Sequence, residues 1–252
     1  MIHYVCVATE SILYLPYLKQ LLPELVVLGM GMKWRGFIMK YELIIEYLES
    51  LKDDNIICFV DAYDVLPTKN IIKLERKFIK FSKKHPNVKM IVGGGVTQNS
   101  IQEFFNDVVF DNSKINSGTY IGYVKNIKHI LLFILQQKNI QDDQVELIKY
   151  AKQNPNDIYC DIKHNFFYVI STPLQQIKLN NKKCSFIHAN GNGCLENFLL
   201  QHHNIQIDTS VTFNNYIIHF YKMIKKFYIY KISITQKLVK SISSTIINIS
   251  KS

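Results

Sequence analysis

Apolar residues along this chain follow two rhythms. Short, mainly apolar runs at 2–8, 24–28, 56–60, 88–92 and 119–123 have strand length and are rich in β-branched and aromatic residues. Between them apolar positions recur at helical spacing. Residues 36–52 place Met39, Leu43, Ile44, Tyr47, Leu48 and Leu51 on one face, and 68–84 do the same with Ile71, Leu74, Phe78 and Phe81. The second helix is expected to open at Thr68 as its N-cap. It should stop before His85-Pro86, because the residue preceding a proline avoids helical geometry. Strands alternating with helices predict an α/β protein with a mostly parallel central sheet covered by helices. No internal repeat interrupts the alternation.

The rhythm changes near residue 212. Lys222, Lys225, Lys226, Lys231, Lys237 and Lys240 stand there among Ile, Phe and Tyr, with no acidic residue. The expectation is a catalytic body over 1–205 and a basic, helical C-terminal extension over 206–252. That extension would pack on the body, join two copies as a homodimer, or lie on a membrane surface.

The 252 residues carry a formal net charge of +10, which invites an anionic partner such as a nucleotide sugar, a nucleic acid or a membrane. No aromatic-plus-basic RNA signature, zinc-finger spacing or dense basic block supports nucleic acid. The abundance of Ile, Lys and Asn reads as base-composition bias. The five cysteines, Cys6, Cys58, Cys160, Cys184 and Cys194, are odd in number and form no C-x-x-C pair, so buried free thiols are expected. The chain enters a strand-like segment at once, without a signal-peptide pattern, and has no apolar run long enough to span a bilayer. A cytoplasmic location is the expectation.

The chemistry concentrates where Ile56–Val60 runs into Asp61-Ala-Tyr-Asp64. Carboxylates are costly inside a buried strand but useful at its carboxyl end, where open α/β sheets bind ligands. Two oxygen donors there suit a hard divalent cation serving a phosphate-bearing substrate. The bland alternative is one carboxylate capping a turn and one solvated. Ser185-Phe-Ile-His188-Ala-Asn-Gly-Asn-Gly193 delivers an imidazole into a glycine-rich turn that can approach phosphate, although a strand-end histidine is more often simply packed. Ile115-Asn-Ser-Gly118 reads as a turn into a strand, with Asn116 or the Ser117-Gly118 backbone free to meet a sugar hydroxyl. Asp142 and Asp143 either open a helix, where acids favour the dipole, or face the reacting sugar. Gly93-Gly-Gly95 suggests backbone close to a ligand but lacks the dinucleotide fingerprint.

Seven segments taken in order resemble a known family. They are Val7-Ala-Thr-Glu10, Leu28-Gly-x-Gly-x-x-Trp-Arg-Gly36, Phe59-Val-Asp-Ala-Tyr-Asp-Val65, Asn116-Ser-Gly118 with Ile121-Gly122, Asp142-Asp-Gln144, Asp161, and His188-x-Asn-Gly191. Over roughly 4–195 the chain resembles the glycosyltransferase domain of the procollagen lysyl hydroxylases, and more closely its stand-alone viral form. The resemblance implies a GT-A (Rossmann-like) fold and Mn²⁺ held by Asp61, Asp64 and His188. It implies a UDP-glucose donor with Val7, Thr9 and Tyr63 at the uridine, Trp34 and Lys40 at the donor site, and Asn190 and Gly191 near the diphosphate. The implied acceptor is galactosyl-hydroxylysine of collagen-like polypeptides, glucosylated with retention, with Asn116, Asp142 and Asp143 at the reacting end. The chain departs from the family pattern where the histidine turn reads His188-Ala-Asn-Gly-Asn-Gly-Cys194, losing a lysine, and where a long aspartate run shrinks to Asp142-Asp143. No His-x-Asp pair occurs, so these residues hold no iron-dependent hydroxylase centre. Two rival readings stand beside this one: a GT-A transferase with another UDP-sugar or acceptor glycan, and an inactive sugar-nucleotide-binding protein.

Overall fold

The computed structural model of the chain describes residues 1–95, 115–137, 140, 142–170, 183–190 and 195–206. In chain order the strands are β1 (Ile2–Val7), β2 (Val26–Leu28), β3 (Ile56–Val60), β4 (Val65–Pro67), β5 (Met90–Gly94), β6 (Ile115–Tyr123), β7 (Ile158–Asp161), β8 (Phe167–Val169) and β9 (Phe186–His188). The helices are α1 (Leu15–Leu21), α2 (Ile38–Leu48), α3 (Leu74–Lys84), α4 (Val124–Leu135), α5 (Asp143–Gln153) and α6 (Glu196–His203). Met1–Gln206 forms one compact unit. The proposed extension beyond it lies outside the described residues, as do Gly191 and Cys194.

Six strands make the central sheet, in the order β2-β1-β3-β6-β5-β7. β1 pairs in parallel with β2 and β3, and β5 with β7, while β6 runs antiparallel to both β3 and β5. Every residue of β3 and β5 is buried, as expected of strands with both faces covered. Val5, Val7, Ile57 and Phe59 pack against Tyr41, Ile44 and Leu48 of α2 and Ile127, Ile130 and Ile134 of α4. Phe59 stacks on Tyr120 with ring centroids 4.8 Å apart. A second, three-stranded sheet, β4-β9-β8, stands beside the first.

The structure revises several local expectations. Thr68 does cap, accepting a hydrogen bond from the Asn70 N–H, but the element it opens is a 3-10 turn over Lys69–Lys73, and α3 follows. Asn116-Ser-Gly118 lies inside β6 and is not a turn. Val92 pairs with Tyr120 and the next residue, Gly93, with Asn116, so Ser117–Thr119 bulge out of register. The glycines after β5 serve packing between protein segments. A Cβ on Gly93 would sit 2.4 Å from Thr119 Oγ1, and one on Gly94 2.7 Å from the Ile162 nitrogen. Among the described residues Cys6, Cys58, Cys160 and Cys184 form no disulfide, and burial pushes Cys6 up to about 12. No helix among the described residues is long and apolar enough to cross a membrane.

Candidate active site

β3 ends at Val60, and the chain turns out of the sheet through Asp61-Ala-Tyr-Asp64 before β4. The turn is fixed at both ends. The Asp61 N–H donates to the Gly118 carbonyl at 2.7 Å, on the bulge of β6, and the Ala189 N–H donates to the Asp64 carbonyl at 2.8 Å. Antiparallel pairing of β4 with β9 sets Val65 opposite His188. The imidazole therefore reaches the two carboxylates through the second sheet, about 125 residues further along the chain.

One donor atom from each of Asp61, Asp64 and His188 lies within 4.8 Å of the others. His188 Nε2 is 3.3 Å from Asp64 Oδ1 and 4.0 Å from Asp61 Oδ2. The carboxylate side chains keep 29% and 27% of their exposure, whereas the imidazole keeps 2%, so the cluster opens on its acidic side. Among the described residues Nδ1 of the buried ring makes no hydrogen bond, and Nε2 meets only the two carboxylates, at ion-pair distance. An unmade bond on a buried polar group costs about 1–3 kcal/mol. A ring nitrogen aimed at two carboxylates fits a ligand set for a divalent cation. Burial pulls the imidazole pKa down, but Asp64 and then Asp61 raise it further, so it lies above its ordinary value despite opposition from Lys40. A proton thus competes with a cation for this nitrogen.

Lys40, on the first turn of α2, is buried with its ammonium 3.2 Å from Asp61 Oδ1 and 2.5 Å from Asp143 Oδ2. Burial lowers the pKa of this amine, yet Asp61 and Asp143 outweigh it and hold the group charged well above its usual range. The pairing fixes one face of Asp61 while Oδ2 points to His188. With Lys40 compensating one of the carboxylates Asp61, Asp64 and Asp143, two negative charges remain, which a divalent cation neutralises.

Two residues expected at the uridine, Thr9 and Tyr63, are joined to each other. The Tyr63 hydroxyl accepts from the Thr9 N–H at 3.1 Å and the Glu10 N–H at 3.3 Å, and donates to the Glu10 carbonyl at 3.2 Å. The end of β1 is thereby tied to the acidic turn. Val7 belongs to the core, and Thr9 is partly exposed beside it. Trp34 lies on the loop after β2, 43% exposed and edge-on to Phe37. That loop needs glycine at Gly29, where φ is +82° and a Cβ would meet Leu43 Cδ1 at 2.9 Å. Asn190 is exposed two residues beyond His188.

The expected acceptor-side residues divide. Asp142 caps α5, its Oδ1 accepting from the Val145 N–H at 3.0 Å. Asp143 is buried and committed to Lys40. Asn116 is buried, and its Oδ1 accepts the Gly118 N–H at 3.0 Å, so that backbone donor is not free for a ligand. The Asn116 Nδ2 has a long 3.5 Å contact with Gln144 Oε1. Asp161 lies apart from the acidic cluster, its carboxylate accepting the N–H groups of Asn165, Phe166 and Phe167. The sequence reading gave Gly118 a backbone role toward a sugar hydroxyl and missed its packing role beside the acidic cluster. A Cβ there would lie 2.4 Å from His188 Cε1 and 2.5 Å from Asp61 Oδ2. Only the pairing of β6 with β3 shows that requirement.

Comparison with known proteins places this geometry. A multifunctional procollagen lysine hydroxylase and glycosyltransferase of Caenorhabditis elegans is 28% identical over 189 residues, which cover 69% of this chain and 23% of that protein. A glycosyltransferase involved in the glycosylation of the major capsid of PBCV-1 superposes with a TM-score of 0.52 at 14% identity. The match covers 76% of this chain and 94% of that one. The galactosyltransferase LgtC is more distant, with a TM-score of 0.40 at 11% identity over 76% of this chain and 87% of that chain. The fold is that of the GT-A glycosyltransferases. The profile of the PLOD GT domain matches residues 5–227, past the expected boundary at 205, and the chain belongs to that family.

Proposed function

We propose that this chain is an Mn²⁺-dependent retaining glycosyltransferase that moves glucose from UDP-glucose to galactosyl-hydroxylysine of collagen-like polypeptides. The observation that carries the reading is the convergence of Asp61, Asp64 and the buried His188 ring at the carboxyl end of β3. Those three residues would hold the cation, which supplies Lewis-acid stabilisation for the departing diphosphate. Thr9 and Tyr63 offer a platform for the uridine at the end of β1, Trp34 and Lys40 flank the donor, and Asn190 and Gly191 are the candidates for the diphosphate side. Lys40 stays protonated, so it orients Asp61 and takes up no proton. Asp143, locked to that ammonium, is a positioning residue. The second oxygen of Asp142, beyond the one capping α5, is the candidate contact for the acceptor hydroxyl. Asn116 supports the bulge that carries Gly118.

The test is to incubate the protein with UDP-glucose, Mn²⁺ and a galactosyl-hydroxylysine collagen peptide, and to weigh the product. One added hexose, α-linked, is expected. No transfer to this peptide together with transfer to another glycan would overturn the acceptor assignment.

A further inference from the structure

The surface of α3 has no part in the site described above. Lys73, Arg76, Lys80 and Lys83 recur at intervals of three, four and three residues, which places them on one helical face. All four are exposed. At 1.5 Å per residue the stripe is about 15 Å long. Exposed Lys69 extends it backwards through the 3-10 turn, and exposed Lys84 extends it forwards. Glu75 is the sole acidic residue between 69 and 89, and it is paired with the amino group of Met1 at 3.1 Å. Among the described residues no carboxylate is ion-paired with any of the six cations. Lys77, by contrast, turns inward and donates to the carbonyls of Asn165 and Lys183.

Two further features distinguish this face from an ordinary solvated one. Ile72 is 84% exposed between Lys69 and Lys73, an apolar side chain inside a cationic strip. Beyond Lys73 the face also leads away from the acidic cluster. Glu75 touches Met1, before the start of β1, and Phe78 packs on Tyr123, which pairs with Ile56 at the start of β3. Asp61 follows the opposite end of β3.

We propose that the α3 stripe docks the protein on an anionic membrane surface, with Lys69, Lys73, Arg76, Lys80, Lys83 and Lys84 against phosphatidylserine headgroups. Ile72 enters the interface between them. Basic residues near such a surface each contribute about fivefold in affinity, and a protruding apolar residue adds contact with the acyl boundary. The stripe carries no aromatic side chain on which a nucleobase could stack, which disfavours single-stranded nucleic acid. Docked this way, the protein keeps the end of the sheet that bears Asp61 turned from the bilayer and open to substrate. The proposal is independent of the donor and acceptor assigned above.

Co-sedimentation of the full chain with phosphatidylcholine vesicles, with and without 30% phosphatidylserine, tests it. The wild type should bind the anionic vesicles in 0.1 M salt, release them in 0.5 M salt, and ignore the uncharged ones. The triple variant K73Q/R76Q/K80Q should lose about 100-fold in vesicle affinity. A control triple elsewhere on the surface, K19Q/K52Q/K125Q, should bind nearly as the wild type does. Thermal unfolding and Mn²⁺ titration verify that each variant is folded. Equal vesicle binding by the two triples would overturn the proposal. So would a stripe variant that keeps its vesicles but loses an RNA oligonucleotide.

Discussion

At Gly118 the absent side chain makes room for the Asp61–Asp64–His188 cluster, because a methyl group would lie 2.4 Å from His188 Cε1 and 2.5 Å from Asp61 Oδ2. Neither neighbour can yield easily. His188 is buried on β9, and Asp61 is fixed by its backbone bond to the Gly118 carbonyl and by Lys40. Gly118→Ala should therefore displace ligands without removing one. Changes to groups that orient ligands typically cost 10–100-fold in metal affinity, and overpacking costs about 1–3 kcal/mol in stability. Isothermal titration with Mn²⁺ and a denaturant melt measure the two losses separately. Wild-type Mn²⁺ affinity in this variant would contradict the packing account.

Between elements, Asp161 holds the second sheet in place. It ends β7, and its carboxylate accepts the N–H groups of Asn165, Phe166 and Phe167 as the chain enters β8, at 2.9, 2.6 and 3.0 Å. β8 pairs with β9, which carries His188, so this clasp supports a residue of the acidic cluster that it never touches. Asp161→Ala leaves buried donors unpaired and should cost about 3 kcal/mol or more, read as a shift in the urea midpoint. A loss under 1 kcal/mol would show that the clasp is dispensable. The same region marks where the sequence was legible and where it was not. β1, β3 and α3 announced themselves through long apolar runs or helical period. β4 and β8 have three residues each, too few for a period, and their partners are distant in sequence. The antiparallel direction of β6 was equally hidden, because Asn-Ser-Gly has turn chemistry and only pairing with β3 and β5 makes it strand. The acidic pair was legible because ionised side chains ending a buried run need a purpose. The third member of the proposed ligand set, His188, stood out as a strand-end histidine before glycines, and the family resemblance strengthened its link to the pair. The bond between Lys40 and Asp143 left no trace in spacing.

For the whole molecule, the two ends of the central sheet have opposite character. The carboxyl ends of β1 and β3 carry the acidic, cation-seeking cluster, while the far side carries the basic stripe of α3. Charge is thus unevenly distributed over the described residues, with carboxylates gathered at the Asp61–Asp64 turn and ammonium groups displayed along α3. The central claim is that the acidic cluster is a metal site on which UDP-sugar turnover depends. The most direct measurement is UDP release from UDP-glucose as Mn²⁺ is titrated, compared between the wild type, Asp61→Ala and Asp64→Ala. Release should saturate with Mn²⁺ in the wild type, vanish with chelator, and fall at least 100-fold in both variants. Wild-type release in either variant, or release indifferent to chelator, would contradict the claim.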